Sequence, residues 1–107
     1  MANDFKNAQA VGVTGVTTVY TAPASKDSII LELDIANTTS SAVTASAELV
    51  DTSAGTDAFI VKDAPIPVGG SLQVVSGQKI IVEATDLVRV TASGACDVIC
   101  SILEDVN

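Results

Sequence analysis

The 107-residue sequence has no histidine and no tryptophan. The first absence removes the commonest general base and the commonest metal ligand. Ser-His-Asp and Cys-His catalysis are excluded with it. Aromatics amount to 3% of the chain, as Phe5, Tyr20 and Phe59. An interior made from these residues has to be built of Val, Ile, Leu and Ala. Basic residues are also scarce, 5 against 13 acidic, for a net charge of −8. Nucleic-acid binding needs a Lys/Arg footprint that displaces counterions, so this balance argues against it. It argues equally against an anionic membrane surface. No stretch approaches the ~20 apolar residues of a membrane-spanning helix. Residues 1–10 (MANDFKNAQA) lack the charged and apolar regions of a signal peptide, so folding in a cytoplasm is expected.

What is present is β-branched and aliphatic. Hydrophobic residues make up 48% of the chain and the mean hydropathy is +0.48, high for a solitary soluble domain. The excess is read as surface buried against other chains, which predicts a homo-oligomer or a larger assembly. The length fits one domain. A chain of this size buries roughly 60–68% of its unfolded surface.

Period-2 alternation recurs between turn signals, and no window sustains a helical pattern with caps. Strands are expected at 16–21, 28–37, 42–50, 58–62, 71–75, 79–84, 87–92 and 96–103. In the second, Ile29, Leu31, Leu33 and Ile35 fall on one face and Glu32 and Asp34 on the other. Asp63 to Gly70 (DAPIPVGG) reads as an irregular crossing, Ser76-Gly77 as a turn, and residues 1–15 as an arm ordered by a neighbour. The predicted fold is all-β: an antiparallel two-sheet sandwich of about eight short strands over residues 16–107, immunoglobulin-like or jelly-roll-like. The last strand carries Val98, Cys100 and Ile102 on one face and Ile99 and Leu103 on the other. Two apolar faces on one strand suggest that one of them meets another subunit.

Several groups invite a chemical reading. Cys96 and Cys100 on one strand would have Cα atoms ~13 Å apart, beyond the ~7 Å reach of a disulfide. They are expected as buried free thiols. Val68-Gly69-Gly70-Ser71 precedes a strand and not a helix, so it is a turn and not a phosphate loop. Asp51 to Asp57 (DTSAGTD) offers carboxylates at both ends but has Lys62 where a calcium loop needs its bidentate Glu, and a polar loop is expected. Glu32 and Asp34 share a strand face without aromatic platforms for sugar, so a solvated face is expected. No catalytic, cofactor or metal residue is identified, and the chain is expected not to be an enzyme.

Three runs then bear on kinship: Tyr20 to Ile30 (YTAPASKDSII) with Leu33 to Asn37 (LDIAN), Phe59 to Leu72 (FIVKDAPIPVGGSL), and Lys79 to Ser93 (KIIVEATDLVRVTAS) with Ser101 to Glu104 (SILE). Their order resembles small virion structural proteins of tailed bacteriophages, especially of marine and cyanobacterial hosts. The resemblance implies a virion protein assembled in the host cytoplasm. A capsid decoration (cement) protein on the major capsid shell is the first expectation, and a tail, neck or fibre component the second. A carbohydrate-binding adhesin module is disfavoured by the scarcity of aromatics. No individual functional residue is carried over. The partner contacts expected from the sequence are Phe5 in the arm, Pro65, Ile66 and Pro67 in the crossing, and Ile99 and Leu103 on the last strand.

Overall fold

The computed structural model describes residues 3–106. Eight strands follow one another: β1 (Asp4–Val13), β2 (Thr17–Thr21), β3 (Ser28–Asn37), β4 (Val43–Asp51), β5 (Thr56–Ile66), β6 (Ser71–Val82), β7 (Leu87–Ala92) and β8 (Cys96–Glu104). They form two antiparallel four-stranded sheets of order β1-β8-β3-β6 and β2-β7-β4-β5. The expected two-sheet sandwich is thus present. Its strand order is the doubled Greek key of a jelly roll and not the ABED/CFG order of an immunoglobulin domain.

Alternation along each strand sends one set of side chains between the sheets. β3 contributes Ile30, Leu33 and Ile35, and β8 contributes Val98, Cys100 and Ile102. Across from them lie Ala45 and Ala47 of β4 and Val88 and Val90 of β7. None of the buried hydrophobic side chains is aromatic. Small β-branched residues fill the space without large rings because they sit in one preferred rotamer on a pleated surface. Cys96 and Cys100 are free and buried on β8, and burial pushes the Cys100 thiol up to about 12.

Three expectations about the elements are corrected. The segment expected as an arm, in its described part, is the regular strand β1, paired with β8 from Asp4↔Glu104 to Ala10↔Val98. Its pattern was weak because, before the buried Val13 at its end, only Ala8 and Ala10 lean on the core, while Phe5 faces outward. The crossing at 63–70 is strand as far as Ile66. Pro65 is tolerated because β5 is an edge strand, where a missing N–H breaks no ladder. The turn at Ser76-Gly77 is a bulge inside one long strand, β6. There Gln78 replaces lost ladder bonds: its Oε1 accepts from Ser76 N at 2.9 Å and its Nε2 donates to Val74 O at 3.0 Å. The remaining turn, Pro67 to Gly70, closes through Gly70 N to Pro67 O at 2.9 Å. Gly69 there has φ +74°, the left-handed value that a type II turn reserves for its third residue.

Candidate interaction face

The outer faces of the two sheets differ in chemistry. On the β2-β7-β4-β5 sheet, Arg89 bridges Glu48 (3.1 Å) and Asp57 (2.9 Å), and Ser46 lies opposite Thr91. Phe59, 51% exposed opposite Glu48, adds one aromatic ring to this face, with Lys62 Nζ 5.2 Å from its centroid, so the face is mixed and not apolar. On the β1-β8-β3-β6 sheet the register sets Phe5 opposite Leu103, Leu103 opposite Ile29, and Ile29 opposite Ile81. Directly opposed residues share a face. The four side chains therefore form one lateral apolar row across all four strands, ~15 Å long at the usual strand spacing. Phe5 is 78% exposed and Ile81 59% at the ends of the row, with Leu103 and Ile29 half-buried between them. Ile99, 51% exposed, stands two same-face positions further along β8, past Ser101. A shallow groove of about 360 Å³ beside the row is lined by Phe5, Lys6, Asn7, Leu31, Ser101 and Ile102.

Two carboxylates lie in the middle of this face. Asp34 is opposite Ile99 of β8 and Gln73 of β6, and Glu32 opposite Ser101 and Ser76. Burial pushes the Asp34 carboxyl up to about 6, helped by its hydrogen bond to Glu32 and by that residue's charge. Its Oδ1 is buried without a hydrogen-bond partner. The acids expected on a solvated face are thus half-buried and hydrogen-bonded to each other on an apolar one.

At one end of the sandwich a polar clamp joins the sheets. Tyr20 of β2 donates to Glu104 Oε2 at 2.6 Å, with Ser28 Oγ 2.8 Å from the same phenol oxygen. Lys6 Nζ lies 2.7 Å from Glu104 Oε1. These bonds hold the Glu104 carboxyl below its ordinary range. Burial, then the hydrogen bond to Glu104, pushes Tyr20 up to about 12.

The Asp51–Asp57 loop does not close on itself as a calcium loop would. Asp57 pairs with Arg89. Asp51 meets Glu83 and Asp86, with carboxylate oxygens within 4.8 Å of one another. Asp51 accepts from Ser53 Oγ (2.8 Å) and Ala54 N (3.1 Å). Buried Asp86 accepts from Thr52 N (3.0 Å) and Thr52 Oγ1 (3.2 Å). Asp86 thus pins the β4–β5 loop to the β6–β7 loop, while Asp51 caps its own loop.

Of the residues expected to meet a partner, Phe5, Ile99 and Leu103 come together on this one face. Pro65 and Pro67 are exposed but belong to the end of β5 and the turn after it, on the other sheet. Ile66 is corrected: it is fully buried in the core and cannot meet a partner. Its carbonyl is held by Asn37 Nδ2 at 3.1 Å, which points the segment inward. Sequence reasoning missed Ile29 and Ile81. Their signal was the doubled pairs Ile29-Ile30 and Ile80-Ile81, which place an apolar residue on both faces of a strand.

No family model and no curated protein matches the chain. Among solved structures, that of the infectious bursal disease virus Gt strain aligns over 95% of this chain and 35% of the other, at 11% identity. The TM-score is 0.25, and the likeness carries no argument.

Proposed function

We propose that the chain is a non-enzymatic structural protein of a tailed-bacteriophage virion, a decoration protein that binds the outside of the major capsid shell and stabilises it. The single observation that carries this reading is the apolar row Phe5–Leu103–Ile29–Ile81 on one sheet, with ion pairs on the opposite face. A domain with a continuous apolar row on one face and a mixed, ion-paired face on the other is suited to lie on a surface, apolar row down. The sequence resemblance supplies the kind of surface. Glu32 and Asp34 add a chemical requirement: the shell should present a Lys or Arg opposite them inside an apolar strip. Added interface area across shell joints stabilises the assembled state by mass action.

The test mixes the protein with undecorated capsids of the cognate shell protein and follows co-sedimentation. Wild type should sediment with capsids, and Ile81→Asp or Ile99→Asp should not, while both variants keep the β-sheet circular dichroism of the parent. Equal occupancy for wild type and variants would remove this face from the mechanism. No binding by wild type would refute the decoration reading and favour a tail, neck or fibre position.

A further inference from the structure

A sandwich of this kind has four strand edges, here β1, β6, β2 and β5. Natural sheets blunt edges with bulges, prolines or short strands, because an unpaired ladder recruits another strand. Three of the four are blunted in that way. β6 breaks register twice, with Gly77 at φ +97° and Lys79 at +57°. β5 carries Pro65, two register breaks and Asp63 at φ +50°. β2 is five residues long and bulged. β1 alone runs seven residues, Asp4 to Ala10, in unbroken register with Glu104 to Val98. Among the described residues, the backbone of 4–10 bonds to no strand other than β8.

We infer that the β1 edge is a dimerisation edge: β1 of a second copy pairs with it antiparallel about a twofold axis at Phe5, merging the two β1-β8-β3-β6 sheets into one of eight strands. The residues flanking Phe5 select both the partner and the register. With Phe5 opposite Phe5, Asp4 of each copy stands opposite Lys6 of the other, giving two favourable cross-strand charge pairs and one aromatic pair. Sliding by two residues sets Lys6 against Lys6. Centring on Asn7 would pair the whole Asp4–Ala10 edge but sets Asp4 against Ala10 and Phe5 against Gln9. Centring on Phe5 gives up that length, with Asp4 to Lys6 facing one another within β1, in exchange for the charge pairs and the aromatic pair. Lysine is a common guard of an open edge; Lys6, half-exposed and 2.7 Å from Glu104, keeps its charge, and Asp4 of the second copy would share it with Glu104. The chosen register also joins the two apolar rows end to end, from Ile81 of one copy to Ile81 of the other. The inference thus deepens the assembly reading above by giving the unit that would lie on a shell.

The experiment contains no capsid, so its failure leaves the shell-binding test standing. Wild-type protein is followed by sedimentation velocity across the micromolar range, where a dimer is expected. Asp4→Lys and Lys6→Asp should each weaken self-association at least about tenfold, because each places like charges opposite one another. Mixed in equal amounts, they should recover a heterodimer. Phe5→Cys should cross-link into a dimer under mild oxidation, since Cys96 and Cys100 are buried and do not compete. Ile81→Cys, equally accessible at the far edge, should stay uncross-linked. Should Lys6→Asp fail to fold, the Phe5→Cys result still decides. A monomeric wild type, dimers indifferent to both charge reversals, or cross-linking of Ile81→Cys as fast as Phe5→Cys would each overturn the inference.

Discussion

At the scale of single residues, Asp34 stands out because burial and a neighbouring acid act in the same direction. Its unfolded carboxyl titrates at the ordinary 3.8 and its folded one at about 6. Neither neighbour in register, Ile99 or Gln73, offers a charge to compensate. Between those values the native state holds more protons than the unfolded state. The stability from this group is therefore fully present below about pH 4 and is lost as pH rises through 6. Asp34→Asn keeps the shape and removes the linkage. Its urea midpoint should gain on wild type from pH 4 to pH 7, and a constant difference at the two values would contradict the assignment. Tyr20 is the opposite case, a half-buried polar group with its partner in place. Tyr20→Phe should cost about 1–2 kcal/mol in denaturant titration, as for a hydrogen bond to a charged group. Lys6→Ala should cost less, since its ammonium is half-exposed and screened. Glu104 itself was legible only as the end of a strand. That it faces Tyr20 across 84 positions follows from topology alone.

At the scale of elements, the sequence was readable wherever alternation was strong and both ends carried breakers. Ser28–Asn37 and Leu87–Ala92 match expectation in their bounds, but a bulge between Ile30 and Glu32 turns Ile29 to the face opposite Leu33 and Ile35, which were expected beside it. Alternation failed where edge strands face water on both sides, as in β1, and where a breaker is absorbed as a bulge, as Gly77 and Pro65 are. The number of strands nonetheless agreed, because one unexpected strand was gained and two expected ones fused. The gain has a consequence for truncation. Deleting residues 1–10 strips β8 of its partner along Cys100, Ile99 and Val98 and uncovers the core beside Ala8 and Ala10. Net backbone bonding of ~1 kcal/mol per bond is offset in part by the ordering entropy no longer required. The truncated chain should still lose at least about 2 kcal/mol and aggregate through β8. Thermal melts of both proteins check this, and coincident curves would mean that β1 contributes nothing to the fold.

At the scale of the whole molecule, jelly roll and immunoglobulin sandwich were indistinguishable in the sequence. Spacing between turn signals gives the strands, but not which strand lies beside which, and here every sheet neighbour except β4–β5 is distant along the chain. The apolar face was half legible for the same reason. Ile99 and Leu103 share a strand, but their alignment with Phe5, Ile29 and Ile81 exists only after the sheet has assembled. That alignment predicts a separation of folding from association. Ile81 and Ile99 are more than half exposed and contribute little to the monomer's core. Replacing both with Thr keeps β-propensity while breaking the apolar surface at two points. Surface changes of this kind typically move stability by no more than about 0.5 kcal/mol. The double variant should therefore melt within a few degrees of wild type, remain soluble to higher ammonium sulfate, and lose about tenfold or more in capsid affinity, or ~1.4 kcal/mol. Because neither residue lies on the β1 edge, its sedimentation coefficient should stay that of the wild type. A variant that unfolds instead would show that these isoleucines hold the sheet together. One that binds capsids as well as wild type would show that the row is only surface.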